Sequence, residues 1–436
     1  MIQPPSDHTN DTNGIQTHND VEHRSAPLRR SAFRALVQDF GPLWYAQHHQ
    51  NSILQHLTDC CRFTWCMNSG VLGILTHQCP YQFRGLRTIS TIFYLLDLIL
   101  FIIFSIIFIL RFIMFESQAY NEIINNQADL MLVACWPIAF MTLTSLTPLI
   151  LSNTSWGGHP WTIVGYVMWW FVVLANLIIL FFVFITLIRH HEASDRRMPM
   201  QVILPAVSVS TIAVTGGLIT SLSNDMSPRL AIPIIITSFM LVGIGILLGL
   251  ILSTYLFHNL LAQGWPPPPA TPTLFIFVGP MGQSAAALQF LGAAAQTHAK
   301  FAPYNKGTFI TAESAPPLNV ACVLIALMLT GLGIIWTIFA VYAMIERAVQ
   351  KKLSWTPSWN AIIFPLGTLT TSTSLFGIAM DSPAWRVVTA MLIIVLTGVF
   401  FVNLGFTLTK IWRGELLVVR IDPRVKKRFE GEQKGK

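Results

Sequence analysis

Ten apolar runs alternate with short polar stretches along most of this chain, at 63–76, 86–115, 128–152, 161–188, 201–222, 229–258, 272–295, 317–345, 357–380 and 384–409. A bilayer core about 30 Å thick needs about 20 apolar residues to be crossed by a helix. Lipid offers the backbone no hydrogen-bond partner, so each run reads as a helix rather than a strand. The pattern predicts an all-α integral membrane protein with ten transmembrane helices.

The runs are of two kinds. Spans three, five, seven and nine carry interior breakers: Pro137 and Pro148, Pro205, Gly279 and Pro280, and Pro365. Span one has Gly70 and Gly73. Spans two, four, eight and ten have no interior proline, and span six has Pro233 only in its first turn. Proline removes a backbone donor and leaves a carbonyl unpaired. At membrane depth that is tolerated where a helix is buried or lines a water-filled cavity. Proline is common in membrane helices generally, but its placement here follows the parity of the spans. The odd spans are therefore expected inside, around a water-accessible passage, and the even spans outside, facing lipid, as five helical hairpins about one axis.

Polar stripes fall on the same odd spans. Ser208, Thr211 and Thr215 are three and four residues apart and share a helix face, as do Phe364, Thr368 and Thr371. Span seven adds Gln283 and Ser284. Such groups serve either a hydrated ion or helix–helix hydrogen bonding; together the stripes favour the ion more than any one hydroxyl does.

Composition agrees with a lipid-covered surface. The 436 residues are 53% hydrophobic and 11% charged, against about 25% charged in soluble domains. The net charge of +7 sits in short loops and tails, which fits membrane topology better than nucleic-acid binding. With the N-terminus inside, the outer segments hold Arg84, Arg87, Arg229, Lys300, Lys306 and Arg386, and the rest of the 27 Lys and Arg fall on the inner segments. By the positive-inside rule both termini are expected in the cytosol. Residues 1–40 lack the basic-then-apolar pattern of a signal peptide and read as a disordered cytosolic tail. Residues 41–409 are expected to form one ten-helix membrane domain, and 410–436 a basic cytosolic tail. Six cysteines without regular spacing read as small buried residues.

The chemistry of an enzyme is missing. No GxxxxGK[ST] loop is present, which argues against ATP-driven pumping, and no HExxH or GxSxG motif occurs. The spans carry no cluster of histidines and acids, and ten spans with both ends inside do not describe a seven-span receptor. No cofactor or metal is expected. Asp97 lies inside span two, an outer helix, and Asp129 opens span three. An acid repels anions, so Asp97 reads as a structural group paired with another helix.

Three motifs carry a family resemblance. Phe277-Val278-Gly279-Pro280-Met281-Gly282-Gln283-Ser284, Pro80-Tyr81-Gln82-Phe83-Arg84 and Phe364-Pro365-Leu366-Gly367-Thr368 resemble the tellurite-resistance/dicarboxylate transporter family, as does the pair Trp169-Trp170. The Gly-Pro-Met-Gly-Gln and Phe-Pro-x-Gly-Thr runs are most similar to its fungal sulfite efflux branch; malate permeases form another. The resemblance implies five hairpins with pseudo-fivefold symmetry around a pore, homotrimers with one pore per subunit, and a phenylalanine in span nine, here Phe364, that occludes the pore. Pro365, Thr368, Thr371, Gly279, Pro280, Gln283, Ser208, Thr211, Thr215, Pro137 and Gly70 are the expected pore lining. The function it implies is passive sulfite efflux across the plasma membrane, with malate or another C4-dicarboxylate as the alternative.

The resemblance also marks a departure. Phe40-Gly41-Pro42-Leu43-Trp44-Tyr45 is similar to the family's approach to span one, but a polar interval at 46–63 separates it from Thr64-Trp65-Cys66-Met67. The interval reads as an anomalous insertion of the kind a retained intron leaves. His48, His49, His56, Cys60 and Cys61 within it fit no standard zinc spacing.

An anion path needs no fixed cation. Helix N-termini carry partial positive charge, and a permeating ion must be held weakly enough to leave. A potential negative inside favours anion exit by about 2.3 kcal/mol per charge per 100 mV.

Overall fold

The computed structural model describes residues 62–190 and 198–413. The tail at 1–40, the motif at 40–45, most of the 46–63 interval with its histidines and Cys60 and Cys61, and the basic tail from 414 onward lie outside the described residues.

Twelve α-helices follow one another in the described chain: α1 Phe63–His77, α2 Leu86–Asn125, α3 Gln127–Leu132, α4 Cys135–Leu146, α5 His159–His190, α6 Leu204–Leu222, α7 Pro228–Gln263, α8 Val278–Ala295, α9 Phe301–Tyr304, α10 Ala315–Val349, α11 Ile363–Ala379 and α12 Pro383–Trp412. Among the described residues the only β pairing is an isolated bridge between Lys306 and Ile310. The all-helical expectation holds. Among the described residues nine segments are long and apolar enough to cross a membrane. The first expected span, α1, has 15 residues, about 22 Å at 1.5 Å per residue, which falls short of a full crossing. Phe63, which the sequence assigns to the end of the insertion, is core: its ring meets Phe101, Phe104 and Phe108 at 6.0–6.2 Å.

Two details correct the sequence reading. α2 continues to Asn125, ten residues past its expected end. Pro233 sits in the second turn of α7, because that helix opens at Pro228.

The breakers lie elsewhere than at mid-helix. Pro137, Pro205, Pro280 and Pro365 each fall in the first turn of their helix, α4, α6, α8 and α11 respectively. A first-turn residue has no intrahelical partner for its N–H, so proline forfeits nothing there. Ahead of each helix the chain is irregular: a turn at Val133–Ala134, then 3₁₀ segments Met200–Ile203, Pro268–Phe277 and Pro357–Ala361. α4 instead ends in a π turn, Thr147–Ser152, that contains Pro148.

Burial follows span parity. In the most apolar stretch of each span, the buried share is 78% for Gln127–Ser152, 100% for Met200–Leu222 and Pro268–Ala295, and 78% for Pro357–Ala379. It is 22–39% for α2, α5, α7, α10 and α12. The low-burial helices present Ile, Leu, Val and Phe outward, as a lipid face requires. α1 packs on α4, α4 on α6, α6 on α8, α8 on α11, and α11 back on α1. Close approach uses small residues: a Cβ on Gly245 of α7 would fall 2.1 Å from Ser210 Oγ of α6, and one on Gly216 of α6 2.2 Å from Ser238 Oγ of α7. Trp169, fully buried, donates its indole N–H from α5 to the Ile212 carbonyl of α6 at 3.0 Å.

Candidate functional site

The cyclically packed helices α1, α4, α6, α8 and α11 enclose a cavity of about 30 Å³. A water needs roughly 10–15 Å³ of such space, so the cavity has room for two or so waters and none for a hydrated anion. Each helix contributes to the wall. Val71 and Ile74 come from α1, and Met141, Thr142 and Ser145 from α4. Thr211, Val214, Thr215 and Leu218 come from α6, Gln283 and Phe290 from α8, and Phe364, Thr368 and Thr371 from α11. None of these carries a formal charge. Seven of the fourteen lining side chains carry a hydroxyl or an amide, and seven are apolar.

The polar groups hold one another in place. Ser145 donates to Thr215 Oγ1 at 3.0 Å, joining α4 to α6. Gln283 Nε2 donates to Thr211 Oγ1 at 3.1 Å, joining α6 to α8. Behind them Ser210 and Ser284 share a hydrogen bond at 3.1 Å. Gln289 Nε2 donates to Ser372 Oγ at 2.9 Å, joining α8 to α11, and Asn68 of α1 donates to the Asn360 carbonyl ahead of α11 at 3.1 Å. The threonine hydroxyls turn back on their own helices: Thr211 donates to Val207 O, Thr215 to Thr211 O, Thr368 to Pro365 O and Thr371 to Gly367 O, all within 2.7–3.1 Å. A Gln amide nitrogen has two protons, and Gln283 spends one on Thr211. The site can hydrogen-bond an anion weakly; it has no cation to trap one.

Six of the residues singled out from sequence line this cavity: Phe364, Thr368, Thr371, Gln283, Thr211 and Thr215. The ring of Phe364, 3% exposed, occupies the first turn of α11. The other six stand beside the cavity without lining it. Ser208 lies a turn before Thr211 and donates to Pro205 O at 2.8 Å. Pro137 lies a turn before Met141. Pro365 follows Phe364, rotated away by the helix. Gly279 faces Val207, and Pro280 packs against Gly249 of the outer helix α7. Gly70 faces Thr142 and Asp97, where a Cβ would fall 2.3 Å from Thr142 Cβ.

Sequence reasoning passed over Thr142, Ser145 and Phe290. Thr142 and Ser145 sit at helical spacing like the stripes on α6 and α11; the prolines flanking them drew the attention instead. Asp97 is paired with another helix as expected, and its partner is Thr142 of the cavity wall, at 2.7 Å. Among the described residues no group of histidines, cysteines and acids is placed to hold a metal, and Cys66, Cys135 and Cys322 are buried.

Comparison with known proteins identifies the family. The model of the voltage-dependent anion channel family matches residues 60–408. The sulfite efflux pump SSU1 of Arthroderma benhamiae is 27% identical over 412 residues, 92% of this chain and 99% of that protein. The sulfite efflux pump SSU1 of Trichophyton rubrum is 26% identical over the same length and coverage. The malic acid transport protein of Schizosaccharomyces pombe is 23% identical over 331 residues, 74% of this chain and 73% of that protein. The resemblance read from the motifs is borne out, and the chain is a multi-pass membrane protein. It belongs to the voltage-dependent anion channel family.

Proposed function

We propose that this protein lets a small anion, sulfite or bisulfite before others, leave the cell passively through the passage between α1, α4, α6, α8 and α11. The observation that carries the reading is the uncharged, hydroxyl-rich cavity on the axis of these five helices, with Phe364 in its wall. The names of the sulfite efflux relatives, matched over nearly their whole length, supply the substrate.

In this reading α1 counts as one of ten spans, and the spans form five hairpins with pseudo-fivefold symmetry. The burial alternation and the cyclic packing support that arrangement. Both termini face the cytosol, the membrane is the plasma membrane, and three copies assemble with one pore each. Phe364 is the gate, and Thr142, Ser145, Thr211, Thr215, Gln283, Thr368 and Thr371 form the lining. With ten spans alternating in direction, α4, α6, α8 and α11 run the same way, so their N-termini point to one side and would lend the passage partial positive charge. The 46–63 interval, Phe63 aside, remains an insertion within residues 41–409.

Malate is the second reading, supported by the Schizosaccharomyces pombe relative. A dicarboxylate dianion is best held by arginine forks, and no arginine lines the cavity. Proteoliposomes loaded with sulfite or malate at equal concentration, under an inside-negative potential, separate the two. Sulfite is expected to leave about tenfold faster, a barrier difference of about 1.4 kcal/mol. Malate leaving as fast as sulfite, or faster, overturns the choice of substrate.

A further inference from the structure

The outer helix α2 carries one carboxyl group into the protein. Asp97 is fully buried. Its Oδ2 lies 2.7 Å from Thr142 Oγ1, and its Oδ1 has no hydrogen-bond partner. Thr142 is part of the cavity wall. Gly70 of α1 lets the two meet: a Cβ there would fall 2.4 Å from Thr142 Oγ1 and 2.5 Å from Asp97 Oδ2. Three helices thus converge on a carboxyl group one side chain removed from the passage.

The protons around Thr142 can be counted. Its Oγ1 also lies 2.7 Å from the Ala139 carbonyl oxygen. Both separations are O–H···O hydrogen-bond distances. A threonine hydroxyl owns one proton, a carbonyl none, and an ionised carboxylate none. With Asp97 ionised, two contacts would share one proton, and a buried charge would stand without a counter-ion, which is strongly unfavourable. Among the described residues no cation pairs with Asp97. The ionisable group facing it from α1 is the Cys66 thiol, and α4 presents the Thr142 hydroxyl. A protonated Asp97 supplies the missing hydrogen: its O–H donates to Thr142 Oγ1, and Thr142 donates to Ala139 O.

We propose that Asp97 is a neutral carboxylic acid in the working protein and a positioning residue for the anion path. Its O–H directs the Thr142 proton onto the Ala139 carbonyl, ties α2 to the cavity wall, and leaves the passage free of fixed negative charge. The positioning half rests on the anion-passage reading; the protonation half does not.

Infrared difference spectra between wild type and Asp97→Asn, both in liposomes at neutral pH, test the protonation directly. The expected result is a protonated-carboxyl C=O band present in wild type and absent from the variant. Carboxylate bands in its place overturn the proposal. Anion flux tests the positioning. Asn offers an N–H where the acid offers O–H, so Asp97→Asn is expected to keep flux within about twofold, whereas Asp97→Ala, lacking the donor, loses about tenfold. A severalfold rise in Asp97→Asn means a charge was removed and overturns the neutral acid. Wild-type flux in Asp97→Ala overturns the positioning role. Should Asp97→Ala fail to fold, the Asn variant and the spectra still decide. A protonated band with no anion flux in wild type itself would overturn the passage reading and leave the protonation standing.

Discussion

Gly282 shows what a single residue fixes in this bundle. It lies where α8 meets α11 backbone to backbone: a Cβ there would fall 2.4 Å from Thr368 Oγ1 and 2.6 Å from the Leu369 amide nitrogen. A backbone atom cannot rotate aside as a side chain can. Gly282→Ala is expected to destabilise the protein by about 1–3 kcal/mol, read as a lower Tm in detergent. Gly331→Ala on the outer face of α10, where a Cβ meets nothing within 4 Å, is expected to keep Tm or raise it. Equal Tm values for the two variants would contradict this account of the helix contact. The residue scale was partly legible in the sequence. Thr211, Thr215, Thr368 and Thr371 announce themselves through helical spacing. The reason for Gly282 does not, because the atoms that demand it belong to a segment some 85 residues away. The pairing of Asp97 with Thr142 is hidden for the same reason: local periodicity carries no information about which face of another helix comes near.

At the scale of elements, the prolines interrupt the inner spans as expected, and the structure adds where within each span the interruption falls. In α4, α6, α8 and α11 they start the helix, after an irregular or 3₁₀ approach. The sequence could not place the break, because an apolar 3₁₀ segment such as Thr273–Phe277 has the same composition as the helix it precedes. The distinction has a measurable consequence in α6. Pro205 occupies the first turn, so Pro205→Ala is expected to change stability by about 1 kcal/mol or less. Ala213→Pro, in the buried middle of the same helix, removes a backbone bond and is expected to cost about 3 kcal/mol or more. Thermal unfolding of the two variants checks the contrast; similar large losses in both would return Pro205 to the helix interior.

At the scale of the whole molecule, the parity of the spans was the most informative signal in the sequence. Interrupted spans are 78–100% buried along their apolar stretch and uninterrupted ones 22–39%, a division visible beforehand because helix breakers and lipid-facing aliphatics cannot share a position. The first span was the least legible, since the polar interval at 46–63 separates it in sequence from the motif at 40–45. What the arrangement leaves at its centre is a cavity of about 30 Å³, too small for the ion it is proposed to pass. In the proposed reading the closed state depends on the side chain at Phe364. The direct measurement is sulfite efflux from proteoliposomes at a fixed inside-negative potential, comparing wild type with Phe364→Ala at matched protein incorporation. Removal of the ring is predicted to raise efflux by about tenfold or more, a barrier lowered by about 1.4 kcal/mol or more. Efflux equal to wild type from correctly folded Phe364→Ala would contradict passage through this cavity.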